Sequence, residues 1–238
     1  MEVLNFSLII IIVIVYLQTF SGFIINKKID FYLKNSNLKY ISEKKRKIKQ
    51  FSLLLKQNGN DMSVLLYPNP LLRSECQDVI TFDNNLKEVV RNMFNLMYDK
   101  KAIGLAASQI NINKKIIVWN ALYEKKKEEN ERVFINPTIV EQSLIKKKVL
   151  EKCLSFPDIE AKVERPLVVS VRYYDLNGNK HLKILKGIHA RIFQHEFDHL
   201  NAVLFIDKLT QNEKRKVKSK INDLIMEYKS KHSEESDT

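Results

Sequence analysis

The chain has 238 residues, of which 45% are hydrophobic and 29% charged, enough to bury a substantial core in one or two domains. Its 40 Lys and Arg residues outnumber its 28 Asp and Glu residues. This excess favours anionic surroundings such as RNA or acidic lipid, although a solvated basic surface is the simpler interpretation. The two cysteines, Cys76 and Cys153, are too few for a disulfide framework.

The N-terminal part of the sequence differs from the rest. The apolar run Leu8–Leu17 resembles the hydrophobic part of a signal peptide. Glu2 stands where a lysine is usual, and with its apolar flanks the run approaches the length of a membrane anchor. The segment Asn26–Gln50 is basic and has few acids, which is typical of a transit peptide. We therefore expect residues 1–60 to be a targeting leader and residues 61–238 to be the folded domain.

The first part of the predicted domain contains an irregular segment, a helix and a strand. Leu65–Val79 has two closely spaced prolines and is predicted to be extended. Asn84–Lys100 has apolar residues at three- and four-residue spacing, which predicts an amphipathic helix. Asp83 or Asn84 is the expected N-cap. Lys114–Tyr123 is rich in β-branched and aromatic residues and is predicted to be a strand.

The second part continues with strands and ends with helices. Arg132–Val140 is predicted to be a strand, and Lys147–Pro157 a strand followed by a turn. Leu167–Gly187 alternates apolar and polar residues on both sides of Asn-Gly, which predicts a hairpin. Ile188–Asp207 is predicted to be a buried helix, and Asn212–Lys231 an amphipathic surface helix. Strands around a few helices, without βαβ alternation, indicate an α+β fold.

The segment "QHEFDHL", Gln194–Leu200, has the spacing of a metal site. On a helix, His195 and His199 lie one above the other on the same face and can bind one cation. Glu196, the next residue, can then reach a water on that cation. The alternative is a helix with two hydrogen-bonded histidines and solvated acids. The apolar neighbours of these residues argue against that alternative, because burying such groups without a ligand costs several kcal/mol.

A metal site of this kind needs a third protein ligand. Metalloproteases with the same motif take it from downstream. Here Asp207, Glu213 and His232 follow His199, and none lies in the sequence context of those proteases. Cys153, at a predicted strand–turn junction upstream, is the best candidate. A Cys-His-His set leaves a fourth position open for water.

Three short motifs together resemble one enzyme family. "GLAASQ" (Gly104–Gln109), "EKCLS" (Glu151–Ser155) and "QHEFDHL" (Gln194–Leu200) are similar, in order and spacing, to the three motifs of peptide deformylases. The likeness extends over residues 62–209. Together with the predicted leader, the sequence resembles the plastid-type deformylases of apicomplexan parasites.

The resemblance implies a reaction, a fold and a location. Deformylases are metal-dependent hydrolases that remove the N-formyl group from the initiator methionine of new polypeptides. Their fold is a set of antiparallel sheets packed around a central helix that carries the His-Glu motif. The implied metal is Fe(II), and the donor set also suits zinc. The expected partners are N-formylmethionyl nascent peptides and the organellar ribosome, without sequence-specific nucleic acid. The expected location is the plastid (apicoplast).

The resemblance also implies roles for individual residues. Glu196 takes a proton from the attacking water and delivers one to the leaving amine. The Gln109 side chain and the Leu154 N–H stabilise the oxygen of the tetrahedral carbon. Without the resemblance, Gln109 would be interpreted as a surface amide. Glu151 and Arg165 correspond to a pair that supports the metal ligands.

Four residues are expected to bind the methionine side chain of the substrate. Ile188 and Ile192 precede His195 by seven and three residues and therefore share its helix face. With Ile103 and Gly104 they are expected to line a pocket. Without the resemblance, the isoleucines would be interpreted as core residues.

The sequence departs from the family pattern at four positions. Ala102, Lys152 and Ala202 stand where the family usually has Gly, and Ser108 stands where it often has Pro. If position 152 required a positive φ, lysine there would cost on the order of 1 kcal/mol. We expect this strain at Lys152, next to the predicted metal ligand Cys153. The alternative is an extended conformation in which the lysine side chain points to solvent.

Two other functions are compatible with the sequence. The protein could be a deformylase homologue with weak or no turnover that acts as a membrane- or ribosome-associated binding module. An endopeptidase is disfavoured by the missing downstream ligand. Hydrolysis of formyl-Met peptides distinguishes these functions.

Overall fold

The computed structural model describes residues 62–122 and 128–233. Within them lie three α-helices, which we label α1 (Asn84–Asp99), α2 (Gly187–Leu200) and α3 (Gln211–Ser233). The predicted leader, residues 1–60, lies outside the described residues. No helix in the described part of the chain combines the length and apolar character that crossing a bilayer requires.

Seven strands form two antiparallel sheets in the described residues. We label them β1 (Gly104–Ala106), β2 (Ile116–Trp119), β3 (Arg132–Gln142), β4 (Lys146–Lys152), β5 (Glu160–Pro166), β6 (Val168–Tyr174) and β7 (Lys180–Lys186). One sheet has the order β1-β2-β3-β6-β7, and the other is the hairpin β4-β5. Helix α2 contacts strands of both sheets. The α+β prediction, with antiparallel sheets around a central motif-bearing helix, is therefore confirmed.

The local patterns in the sequence explain most of these elements. In α1 the apolar spacing places seven buried residues on one face, and the Asp83 side chain accepts a hydrogen bond from the Leu86 N–H. Asp83 is therefore the N-cap. In the β6–β7 hairpin, the Asp175 carboxylate accepts from the N–H groups of Asn177 and Asn179, which orders the turn.

Two predicted elements were wrong in extent. The segment predicted to be extended contains a 3₁₀ turn, Pro70–Arg73, because the Asn69 side chain caps it by accepting from the Leu71 N–H. The helix predicted to reach Asp207 ends at Leu200. The apolar residues beyond it belong to a loop and a second 3₁₀ turn, Phe205–Lys208.

The end of α2 has a Schellman motif with alanine at its left-handed position. Ala202 has φ 59°, and its N–H donates to the His199 carbonyl. The Val203 N–H donates to the Asp198 carbonyl at 3.0 Å. Glycine is usual at this position because it lacks a Cβ. Of the positions where the resemblance predicts glycine, Ala202 therefore has a strained, left-handed backbone.

Candidate active site

Helix α2 lies between two hydrophobic clusters. Its residues Ile192 and Phe193 belong to the first cluster, which rests on the five-stranded sheet and includes Trp119 and Phe134. The second cluster is built from β5, the turn after β4, the 3₁₀ turn at Phe205 and α3. Because α2 is enclosed from two sides, the predicted metal ligands His195 and His199 and the predicted acid–base residue Glu196 are buried.

The second cluster supplies the sulfur. Cys153 follows β4 and is buried, and its carbonyl accepts a hydrogen bond from the Phe156 N–H at 3.0 Å. Potential ligand atoms of Cys153, His195 and His199 all lie within 4.8 Å of one another. The Cys153 Sγ is 3.3 Å from the His199 Nε2. The structure thus brings together the three residues predicted to bind a metal.

The donors at this point fit a metal ion. One sulfur and two imidazoles suit iron or zinc, which bind such donors at about 2.0–2.3 Å. His199 Nδ1 and Glu196 Oε2 are buried without a hydrogen-bond partner in the described part of the chain. A buried carboxylate oxygen of this kind leaves an acceptor for a water beside the three donors.

Glu151 holds the ring of His195. Its carboxylate lies 2.9 Å from the His195 Nδ1 and accepts hydrogen bonds from Arg165 and Arg191. Because the carboxylate can only accept, Nδ1 donates and Nε2 is left to bind a cation. Burial would raise the pKa of Glu151, but the hydrogen bonds from His195 and Arg165 outweigh it and lower the pKa to about 2. The predicted Glu151–Arg165 pair is therefore present.

Sequence reasoning missed two members of this network. The Arg191 guanidinium donates to Glu151 at 2.6 Å and to the Lys147 and Val163 carbonyls. The Asp198 carboxylate accepts from Arg165 at 2.7 Å. Arg191 is four residues before His195 on α2, and this spacing was the one signal for it in the sequence.

Gln109 is oriented by its own turn. Its side-chain oxygen accepts from the Ala106 N–H at 2.9 Å, so its NH₂ group points the other way. That group lies 3.2 Å from the Ser155 Oγ and 3.6 Å from the Cys153 Sγ. Gln109 is 2% exposed, so the interpretation as a surface amide was wrong.

Glu196 fits against a glycine. A Cβ built on Gly104 would lie 2.5 Å from the Glu196 Oε1 and 3.0 Å from the Ile192 Cγ2. Gly104 is therefore required by the close approach of β1 to α2. Burial raises the pKa of Glu196 to about 7, against the lowering effect of nearby His195 and Arg165.

A cavity of about 1000 Å³ opens beside these residues. Ile103, Gly104, Ile188 and Ile192 all line it, together with Gln109, Cys153, Leu154, His195 and Glu196. Ile192 is buried, but Ile103 is 38% exposed and Ile188 52%. The interpretation as core residues therefore holds only for Ile192.

The strain expected at Lys152 is absent. The residue lies in β4 opposite Glu160 of β5 and is not among the described residues with positive φ. Its ammonium points outward and pairs with the Glu160 carboxylate at 3.2 Å. Lysine is therefore tolerated as an exposed residue of an extended strand.

Ser108, another departure from the family pattern, is buried, and its hydroxyl donates a hydrogen bond to the His199 carbonyl at 3.2 Å.

The downstream acids are engaged elsewhere. Asp207 forms a two-pronged ion pair with Arg73. Glu213 accepts from the Lys162 N–H at 3.1 Å and from the Lys216 ammonium at 3.0 Å. Neither belongs to the group of potential metal ligands, which agrees with the sequence argument against a protease-type site.

Comparison with known proteins identifies the family. The family model described as "Polypeptide deformylase" matches residues 62–215. The chain belongs to the polypeptide deformylase family. This deformylase chain is 38% identical over 168 residues to the peptide deformylase of Brucella suis, covering 71% of the chain and 95% of that protein. It is 40% identical over 167 residues to the chloroplastic peptide deformylase 1B of Solanum lycopersicum, covering 70% of the chain and 60% of that protein.

Solved deformylase structures share the fold. The structure of a peptide deformylase from Plasmodium falciparum matches with a TM-score of 0.70 and 66% identity, covering 71% of the chain and 99% of that structure. The chain spans about three fifths of the length of the plant deformylases that it matches. The family is metal-dependent, and the Cys153, His195 and His199 group is where the described residues can hold a metal ion.

Proposed function

We propose that this protein removes the N-formyl group from the initiator methionine of newly made organellar polypeptides. The observation that carries the proposal is the convergence of Cys153, His195 and His199 beside Glu196 at the wall of a large cavity. Such a cavity admits the end of a peptide chain, and N-formylmethionyl nascent peptides are the proposed substrates. Family membership supports the choice of reaction.

Cys153, His195 and His199 are the proposed ligands of one divalent ion, Fe(II), with Zn(II) as the other ion that suits the donors. When bound, such an ion acts as a Lewis acid and lowers the pKa of water so that it can attack a formyl carbon near neutral pH. Glu151 orients His195 through the 2.9 Å contact with Nδ1. Arg165 keeps Glu151 ionised, and both Arg165 and Arg191 hold it in place through hydrogen bonds.

Glu196 is the proposed acid and base. It lies next to the proposed ligands on α2, and one of its carboxylate oxygens has no hydrogen-bond partner among the described residues. From this position it can accept a proton from the attacking water and donate it to the nitrogen that leaves. Gly104 leaves the room that this carboxylate occupies.

Gln109 and Leu154 are the proposed donors to the formyl oxygen. The Gln109 NH₂ is aimed past Cys153 because its oxygen is held by Ala106. The Leu154 N–H donates no hydrogen bond to any described residue, and Leu154 lines the cavity. Removal of one such donor costs about 3 kcal/mol of barrier.

The methionine side chain is proposed to bind against Ile103, Gly104, Ile188 and Ile192. Two of these isoleucines are half-exposed, and this apolar surface gives a thioether chain a place away from water. The formylated nitrogen has no positive charge, so the substrate end is neutral when it enters the buried part of the site.

The decisive experiment measures hydrolysis of a formyl-Met peptide by protein loaded with Fe(II) without oxygen. We expect turnover by the parent and, for Glu196→Gln, retention of the metal with loss of nearly all turnover. Cys153→Ala is expected to lose the metal. Glu141→Gln, an exposed acid on β3, is the matched control and should behave as the parent. A parent that holds metal without turnover would overturn the proposal in favour of a binding module.

We also propose that residues 1–60 direct the chain to a plastid. The apolar run and the basic segment of the sequence support this, and several relatives are chloroplastic. A fluorescent fusion of residues 1–60 should reach a membrane-bounded organelle. Cytosolic fluorescence would refute plastid import, and uncleaved fusion retained in a membrane would indicate an anchor. Co-sedimentation of the purified chain with organellar ribosomes tests the proposed ribosome contact.

A further inference from the structure

The cavity that contains the candidate active site has a charged rim. Four lysines line it, Lys100, Lys101, Lys152 and Lys220, together with the acids Asp158 and Glu160. On one side, Lys152 pairs with Glu160 at 3.2 Å. The Lys220 ammonium donates to the Asp158 carbonyl at 2.7 Å. With these two lysines and the acids Asp158 and Glu160, this side of the rim carries no net charge.

The other side of the rim carries uncompensated positive charge. Lys100 and Lys101 directly follow α1, and their side chains form no ion pair or hydrogen bond with any residue in 62–122 or 128–233. Asp99, the adjacent acid, does not line the cavity and is not paired with either lysine. Both lysines are exposed to water and line the same cavity as Glu196.

The backbone holds these two lysines in place. The Lys100 N–H donates to the Leu96 carbonyl at 2.9 Å, and the Lys101 N–H donates to the Tyr98 carbonyl at 3.0 Å. Lys101 has φ 55°, the left-handed conformation that turns the chain from α1 towards β1. Two residues later the same chain lines the proposed methionine pocket. The two ammonium groups are thus attached to a fixed part of the cavity wall.

We propose that Lys100 and Lys101 make the enzyme prefer formylated peptides with acidic residues after the methionine. This inference rests on the proposed function. A peptide whose formyl end reaches Glu196 must leave through the rim, so its following side chains pass the charged wall. Because the formylated end is neutral, those side chains supply the charge that the lysines meet.

A structural role is the alternative for these lysines. Cations at the C-terminal end of a helix stabilise it through the helix dipole. That role predicts a change in the free energy of unfolding when the lysines are replaced, with no dependence on the charge of the peptide. Substrate selection predicts a change that depends on peptide charge and weakens with salt, since exposed charges are screened.

The test compares kcat/KM for formyl-Met-Asp-Asp, formyl-Met-Ala-Ala and formyl-Met-Lys-Lys peptides at low ionic strength. For the parent we expect the acidic peptide to be favoured over the basic one by about fivefold, the scale of exposed charge pairs. The Lys100→Glu, Lys101→Glu double variant should reverse this order. Salt should reduce the ratio towards one in both proteins.

Lys87→Glu, on the exposed face of α1 and outside the cavity, is the matched control and should keep the parent ratio. An unchanged acidic-to-basic ratio in the double variant would overturn the proposal. Failure of the proposed function is separable, because none of the three peptides would then be hydrolysed. In that case binding of the acidic and basic peptides to metal-loaded Glu196→Gln protein decides the charge preference independently of turnover.

Discussion

The two hydrophobic clusters differ in how they are built, and only the second contains a candidate metal ligand, Cys153, whereas the two histidines lie on α2. The first packs the aromatic rings of Trp119, Phe134 and Phe193 between a five-stranded sheet and α2. The second joins a two-stranded hairpin, loops and α3 around Phe156 and Phe205. The histidines are held by the hydrogen bonds of a regular helix, whereas Cys153 is held by a turn. We therefore expect metal binding to be more sensitive to substitutions in the second cluster than to substitutions in the first.

Equivalent truncations in the two clusters test this difference most directly. Phe193→Ala and Phe156→Ala each remove a buried ring and should lower the free energy of unfolding by about 4 kcal/mol. Only Phe156→Ala is expected to reduce the metal bound per folded molecule, because the Phe156 ring packs in the same buried cluster as Cys153, whereas Phe193 belongs to the other cluster. Urea unfolding and metal analysis of the folded fraction measure both. Equal metal loss in the two variants would remove the distinction between the clusters.

Glu151 connects the β4–β5 hairpin to α2, since it lies on β4 and its carboxylate contacts His195 and Arg191. Glu151→Gln leaves Arg165 and Arg191 buried without their shared anion, which should cost about 3 kcal/mol. Denaturant unfolding of the metal-free protein gives this value without the effect of the ion. Glu160→Gln, which removes an exposed partner on the neighbouring strand, is the control and should cost less than about 1 kcal/mol. Similar losses in both variants would contradict the buried network.

Replacing Ala202 and Lys152 by glycine compares a position with a strained backbone and one where strain was expected but is absent. Ala202→Gly should stabilise the protein by about 1 kcal/mol, because Ala202 has the positive φ that glycine adopts without penalty. Lys152→Gly should instead destabilise by about 0.5–1 kcal/mol, as glycine does within a strand. Thermal unfolding of the two variants beside the parent measures both signs. Stabilisation by Lys152→Gly would restore the strain hypothesis at that position.

Glu213 tests how α3 is attached to β5, through the pH dependence of stability, and has the smallest expected effect. The Lys162 N–H and the Lys216 ammonium lower the pKa of Glu213 from 4.5 to about 2. A lowered pKa means stability that is fully present above the unfolded-state pKa and is lost as pH falls through the folded-state pKa. Glu213→Gln should therefore be less stable than the parent above about pH 4.5, and the difference should vanish towards pH 2. A difference independent of pH would exclude ionisation as its cause.

Sequence patterns predicted the parts of the fold that are locally determined. The spacing of apolar residues specified α1, the Asn-Gly turn specified the β6–β7 hairpin, and the His-Glu motif specified the buried face of α2. Each of these depends on residues within a few positions of one another. Cys153 was predicted differently, from the lack of a suitable downstream ligand and from the resemblance in three motifs, because its contact with His199 spans 46 residues of the chain.

The missed features depend on distant partners or on an unusual residue. The end of α2 was missed because apolar residues continue past Leu200 and the terminating position holds alanine. The contacts of Arg191 join α2 to β4 and β5, which are 28 to 44 residues away in the chain. The extended conformation of Lys152 follows from pairing with Glu160, which no dihedral preference of lysine reveals.

Gly104 also limits how sequences of this kind can diverge. Since a Cβ at this position would overlap the Glu196 carboxylate, any other residue must displace that carboxylate or move β1 away from α2. A duplicated copy of the gene that lost this glycine would lose the position of the proposed acid–base group, Glu196, while the three proposed metal ligands stayed intact. The residue at this position therefore serves as a marker for distinguishing working copies from decayed ones in genomes where only the sequence is known.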